Sequence, residues 1–129
     1  MIMIFCGNDI IRISRIQDSI EQVGETFLKR VYTEEEISYC ESRRMCKYQS
    51  YAARFAAKEA VYKAVAPITS EDITWKDIEV KRNINGKPYI QLYGNLEKMV
   101  KEKNIDAIDL SLSHDGDYAI ATVVLSSKL

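Results

Sequence analysis

The chain has 129 residues, 47% of them hydrophobic and 29% charged, with a formal net charge of −1. That is enough for one domain with a real hydrophobic core, in the proportions of an ordinary globular protein. A near-neutral charge argues against a general nucleic-acid binder, and no apolar run approaches the roughly 20 residues of a membrane helix. Three cysteines, Cys6, Cys40 and Cys46, without a C-x-x-C pair predict reduced thiols in the cytoplasm rather than a disulfide framework or a zinc site. The opening MIMIFCGNDIIR lacks the length and basic start of a signal peptide.

From Met1 to Cys6 the chain is apolar and then reaches Gly7-Asn8-Asp9, which predicts a buried strand running into a turn. A carboxylate there must meet something charged or hydrogen-bonding, so Asp9 is either a cap or a metal ligand held by the strand. Ser14-Arg15-Ile16-Gln17 has the form of a capping box. Ile16, Ile20 and Val23 follow on one helical face, with Gly24 as C-terminal cap. Arg12 and Arg15 enter this helix at the end where the macrodipole disfavours cations; they are either solubilising or wait for an external anion. Thr33 to Glu36 forms a second capping box, opening a helix with Ile37 and Cys40 turned inward. Arg43, Arg44 and Lys47 make a basic cluster that is solvated or suited to phosphate.

The stretch from Tyr48 to Ala66 has no glycine and seven alanines, which predicts a long helix. Tyr48, Tyr51, Ala52, Phe55, Ala56 and Tyr62 form its apolar stripe, and the alanines permit a neighbour to pack close to its backbone. Arg54, Lys58, Glu59 and Lys63 include two pairs at i, i+4. Spacing alone allows a solvated face with one Glu59–Lys63 pair, or a carboxylate set among cations for an anionic, metal-bound group.

Beyond Pro67 the period changes. Ile78 and Val80 alternate with Asp77, Glu79 and Lys81 as a half-buried strand, Asn85-Gly86 turns, and Lys87 to Leu92 returns. Asn95 is placed to cap a short helix carrying Leu96, Met99 and Val100 on its inner face. Ile108, Leu110 and Leu112 mark another strand, His114 to Asp117 a turn, and Tyr118 to Leu125 the last strand. The order predicts an α+β domain over 1–129, a mostly antiparallel sheet packed with a long central helix.

Five motifs stand in order along this chain: Gly7-x-Asp9-Ile10; Arg54 to Ala60 (RFAAKEA) with Lys63-Ala64; Trp75 to Val80; Asn85-Gly86-Lys87-Pro88-Tyr89; and Leu112-Ser113-His114-Asp115. Together, from Ile4 to about Leu125, they resemble holo-acyl-carrier-protein synthase, the short bacterial branch of the 4′-phosphopantetheinyl transferases. The resemblance implies a Mg²⁺-dependent transfer of 4′-phosphopantetheine from coenzyme A to a serine of apo-acyl carrier protein, leaving adenosine 3′,5′-bisphosphate. It implies Asp9 and Glu59 as metal ligands and Lys63 at the diphosphate. Arg54, His114 and the turn Asn85, Gly86, Lys87 and Pro88 would hold the nucleotide end, and the assembly would be a homotrimer with sites between subunits. The carrier would serve fatty-acid biosynthesis or a specialised pathway. Because such carriers are acidic, Arg12, Arg15, Lys29 and Arg30 are the expected docking residues.

Two stretches depart from the family pattern: GNDIIRI has Arg12 where an acidic residue is usual, and Val65 to Asp72 replaces a glycine-rich turn. The rival expectations are therefore a coenzyme A or nucleotide-binding module of the same fold without transfer, a metal-dependent phosphohydrolase, or a trimeric interaction protein without a ligand.

Overall fold

The structure, a computed structural model, describes residues 2–69 and 72–128. Strand β1 (Ile2–Arg12) leads into helices α1 (Ile13–Val23), α2 (Glu25–Val31), α3 (Glu34–Ser42) and α4 (Lys47–Val65). The hairpin β2 (Ile78–Arg82) and β3 (Pro88–Leu92), helix α5 (Gly94–Glu102) and the hairpin β4 (Ile105–Asp115) and β5 (Tyr118–Lys128) follow. All pairings are antiparallel, in a three-stranded sheet of order β1-β5-β4 and a separate β2-β3 ribbon. This is the expected α+β arrangement around a long central helix, and its buried residues form one core.

The seam that builds it lies between β1 and α4. A Cβ placed on Gly7 would fall inside van der Waals contact of the Ala60 carbonyl and 3.0 Å from the Ala64 nitrogen. Only glycine facing small helical residues allows so close an approach, and this is what the alanines of α4 are for. Gly7 is therefore not a turn. The strand continues through Asn8 and Asp9, with Asp9 opposite Ala121 within the β1–β5 pairing. Nor is the strand buried throughout, since only Gly7 and Ile11 are enclosed on its inner side.

Local capping also differs from the sequence pattern in places. Helix α1 begins directly at the strand end, with Arg12 as a non-bonding N-cap, so Ser14 to Gln17 is helix interior rather than a capping box. Gly24 does close α1, at φ 76° with its N–H donating to the Ile20 carbonyl. The Thr33–Glu36 capping box is formed. Helix α5 starts at Gly94 behind Tyr93, leaving Asn95 without a cap role. The second hairpin turns only at Gly116-Asp117, so His114 and Asp115 are still strand. On α4, Tyr62 points outward and Val61 takes its place in the core.

A buried ion pair ties the helices to the ribbon. Lys58 Nζ lies 2.8 Å from Glu36 Oε1 with both side chains fully enclosed, and it also donates to the Trp75 and Ile78 carbonyls. The other Glu36 oxygen accepts from the Val80 N–H at 2.9 Å. Burial lowers the Lys58 pKa and Glu36 opposes that fall. Glu79, expected on a solvated face, is enclosed and accepts from the Thr33 and Tyr93 hydroxyls. Buried charges persist when their bonds are made this completely.

The seam gives a test. Gly7→Ala must separate strand from helix or distort both, so the urea midpoint falls by the equivalent of about 1–3 kcal/mol. An unchanged midpoint would show that the seam can open freely.

Candidate active site

Asp9 and the polar edge of α4 meet beside this seam. The Lys63 ammonium donates to Asp9 Oδ1 at 2.9 Å and to the Asn8 carbonyl at 3.1 Å. The Asp9 side chain is 14% exposed and that of Lys63 51%, so the carboxylate is set in the wall and the ammonium is reachable. Glu59 stands one turn before Lys63. Among the described residues it forms no ion pair with Lys63, which excludes the simple helical pair. Burial first, and then the Asp9 charge, push the Glu59 carboxyl above its ordinary range, with Lys63 pulling it partly back. Asp9 and Glu59 thus share one field.

Within the chain the Asp9 charge is met by Lys63, while Glu59 has no ion-pair partner among the described residues. No cluster of three or more His, Cys, Asp or Glu side chains occurs among the described residues, so a metal here would take two carboxylates and draw its remaining ligands from outside. That donor set is hard oxygen and incomplete, which fits Mg²⁺, an ion that keeps several waters and binds through one or two carboxylates plus phosphate. Glu59 also lines a cavity of about 180 Å³ with Lys58, Tyr62, Ile73, Thr74 and Trp75.

A second anion-suited cleft lies elsewhere on α4. Arg54, five residues before Glu59, is turned roughly 140° from it around the helix axis. Arg54 is 3% exposed, its Nε has no partner, and it lines a cleft with Tyr39, Arg43, Arg82, Ser113 and His114. The turn from Asn85 to Pro88 stands next to this cleft rather than in its wall. Gly86 lies over the Arg82 guanidinium, and Lys87 is drawn to Asp109 at 2.9 Å. Within one chain, then, Asp9, Glu59 and Lys63 come together, Arg54 and His114 come together, and the two groups are apart.

The expected docking residues also divide. Arg15 and Arg30 flank a groove lined by Ile16, Phe27, Phe55 and Trp75. Lys29 is paired with Glu25 at 3.6 Å, and Arg12 donates to the Tyr118 hydroxyl at 3.1 Å. Arg12 sits three residues past Asp9 on the opposite face of β1, so it does not reach the carboxylate site. Of the stretch replacing the glycine-rich turn, Ala66 to Ile68 is a 3₁₀ turn, while Ser70 and Glu71 lie outside the described residues. Cys40 is enclosed, and burial pushes its pKa up to about 12, which unsuits it to nucleophilic chemistry, while Cys6 and Cys46 are exposed.

Comparison with known proteins decides the family. The model of the 4′-phosphopantetheinyl transferase superfamily matches residues 5–123. The chain belongs to that superfamily. It is 45% identical to a holo-[acyl-carrier-protein] synthase of Ruminiclostridium cellulolyticum, over 93% of this chain and 90% of the relative. Among solved structures it resembles the Neisseria meningitidis holo-[acyl-carrier-protein] synthase, with a TM-score of 0.84 and 32% identity over 95% of this chain and 98% of that one. The Helicobacter pylori synthase in complex with coenzyme A matches with a TM-score of 0.80 and 32% identity, over 93% of this chain and 98% of that one. Arg43 was visible as part of a basic cluster in the sequence, whereas Tyr39 and Arg82 carried no local signal and join the cleft only through the packing of α3 and β2 against α4.

The shared field of Asp9 and Glu59 has a measurable sign. A raised folded-state pKa means that ionised Glu59 costs stability near neutral pH, and that the cost shrinks as pH falls through that value and is gone below the ordinary carboxyl range. Without divalent cations Glu59→Gln therefore melts higher than the parent at neutral pH, and the difference shrinks on acidification. A melting curve in which Glu59→Gln is lower at every pH would contradict this field.

Proposed function

We propose that the chain, acting over 1–129 as one transferase domain, is a Mg²⁺-dependent holo-acyl-carrier-protein synthase. It moves 4′-phosphopantetheine from coenzyme A to a serine of apo-acyl carrier protein and releases adenosine 3′,5′-bisphosphate. The observation that carries this reading is the convergence of Asp9, Glu59 and Lys63 at the strand–helix seam. Membership of the superfamily and the likeness to a synthase bound to coenzyme A support it.

Asp9 and Glu59 would hold Mg²⁺, which when bound supplies charge neutralisation for the diphosphate. With their charge met, Lys63 is available to an anionic group. In the transfer, the carrier's serine oxygen bonds to the phosphorus bearing pantetheine, its proton passes to solvent water, and the bond from that phosphorus to the bridging oxygen breaks. The leaving oxygen of adenosine 3′,5′-bisphosphate takes up charge, and the Lys63 ammonium is placed to stabilise it. Preorganised positive charge is the main service a protein gives phosphoryl transfer. Arg54, His114 and the Asn85, Gly86, Lys87 and Pro88 turn would receive the nucleotide end. The thiols of Cys6, Cys40 and Cys46 are free, and no helix among the described residues is long and apolar enough to cross a membrane; the enzyme is assigned to the cytoplasm.

The separation of the two anion sites supports a trimer, in which one copy's cleft completes its neighbour's metal site. So does the outward face of the sheet, where Ile4 and Ile10 are 68% and 58% exposed and Val124 is 40% exposed. For the carrier, the groove between Arg15 and Arg30 combines an apolar floor with a cationic rim, suited to an acidic amphipathic helix. Arg12 lies beyond the groove at the sheet edge, and Lys29 on the outer side of α2.

Incubation with coenzyme A, Mg²⁺ and apo-carrier should add the phosphopantetheine mass to the carrier. Asp9→Ala and Glu59→Gln should each lose transfer by a few kcal/mol in barrier, about 10²-fold or more, with the fold retained. Coenzyme A binding without any mass gain would identify a binding module instead, and release of adenosine 3′,5′-bisphosphate without carrier a hydrolase. Near-normal transfer by Glu59→Gln would remove the metal assignment.

Two surfaces separate by substitution. Arg15→Glu raises the KM for carrier in a salt-dependent way and leaves coenzyme A binding unchanged, since rim charges act on association. Ile10→Asp lowers the sedimenting mass from three chains to one. A salt-insensitive carrier KM, or a wild type that sediments as one chain, would refute the respective surface.

A further inference from the structure

Three guanidinium groups meet one ring in the basic cleft. The Cζ atoms of Arg54, Arg82 and Arg43 stand 4.3, 5.3 and 5.9 Å from the ring centroid of Tyr39. They come from three places: the middle of α4, the end of β2, and the residue that closes α3. Among the described residues no carboxylate lies within 4.0 Å of any of them. Arg54 is almost wholly enclosed, with Nε unpartnered and a single long bond of 3.4 Å from Nη1 to the Ser50 carbonyl.

Like charges gathered so closely repel one another, and burial denies Arg54 the screening of water. The protein offsets this with the negative face of one aromatic ring, an attraction that grows as the cation loses water. What the cluster lacks is a compact, multiply charged anion with several acceptor oxygens. On the proposed reading, on which this inference rests, coenzyme A's diphosphate belongs to Asp9, Glu59 and Lys63. The phosphate left for the cleft is the monoester on the adenosine 3′-oxygen.

We propose that Tyr39 is a positioning residue: its ring gathers Arg43, Arg54 and Arg82 into one grip on the 3′-phosphate and so makes the chain discriminate 3′-phosphorylated adenosine nucleotides from those without that group. Tyr39 touches no reacting atom. It acts through the three arginines, and the face of the ring matters rather than the hydroxyl.

Calorimetric titration of the full-length protein, without carrier, with adenosine 3′,5′-bisphosphate and with adenosine 5′-monophosphate tests this. Wild type prefers the bisphosphate, and Tyr39→Phe, which keeps the ring face, retains that preference within about twofold. Tyr39→Leu loses about tenfold on the bisphosphate and little on the monophosphate. Arg82→Gln, at an exposed strand end, removes one cation without touching the core and also lowers the preference. Equal loss on both nucleotides in Tyr39→Leu, loss in Tyr39→Phe as large as in Tyr39→Leu, unchanged preference in Arg82→Gln, or a wild type without preference each overturns the role. Transfer to the carrier is read separately. A preserved nucleotide preference with no transfer defeats the transferase reading and leaves the role of Tyr39 standing.

Discussion

The contact on which the rest of the molecule depends is backbone against backbone. At Gly7 the main chain of β1 lies on the main chain of α4 at Ala60 and Ala64, with no side chain between them. Interiors are close-packed and deform little, and a seam without side chains has no rotamers through which to adjust. The polar residues of the site are all measured from it. Asp9 is two residues beyond Gly7, Glu59 immediately precedes Ala60, and Lys63 immediately precedes Ala64. Placing Asp9, Glu59 and Lys63 next to a contact without side chains fixes the backbone positions from which they reach one another. Precision of this kind is easier on a strand and a helix than on a loop.

The opposite side of α4 does different work with the same residue types. Lys58 spends its charge on Glu36 and on the Trp75 and Ile78 carbonyls, while Glu36 also reaches Val80. The segment held in this way, Trp75 to Ile78, is one wall of the cavity beside Glu59. Trp75 also stacks on Phe55, ring centroids 4.9 Å apart, at the groove flanked by Arg15 and Arg30. One buried lysine therefore holds the partition between the cavity beside Glu59 and the groove proposed for the carrier. Removing it would leave Glu36 enclosed without its counter-charge, which is costly in any fold.

What could be read in advance follows the range of the interactions. Helix α4, the Thr33–Glu36 box, Gly24 as a C-cap and both hairpins rest on short-range chemistry, and the sequence pattern found them. The errors arise where a long-range contact took a residue that local rules assign otherwise. Gly7 looked like a turn because glycine usually signals one, but it is a clearance for α4 some fifty residues away. Glu79 looked solvated from its alternation, yet Thr33 and Tyr93 enclose it. Ser14 looked like a cap because the pattern of hydroxyl and amide was right, but β1 runs straight into α1 and leaves no room for one. For the candidate site, the family resemblance named Asp9, Glu59 and Lys63, and the fold brings these three together at the seam. Tyr39 and Arg82 had no such signature, because their cleft exists only once three separate elements are packed.

Net charge says little about any of this. A chain at −1 carries neighbouring carboxylates at Asp9 and Glu59 and, elsewhere, three arginines around Tyr39 with no carboxylate partner among the described residues. What separates architecture from function among the buried cations is the source of the counter-charge. Lys58 and Arg54 are one helical turn apart and similarly enclosed. Lys58 finds a carboxylate and two carbonyls within the chain, so its desolvation is met internally. Arg54 finds a ring face, one long carbonyl contact and an empty Nε. A charge that the fold leaves uncompensated weakens the free protein, and on the proposed reading the same deficit would become binding energy for an anion. The two stand one turn apart on the same face of α4, so the difference runs along the helix: the fold supplies Lys58 with a counter-charge and leaves Arg54 without one.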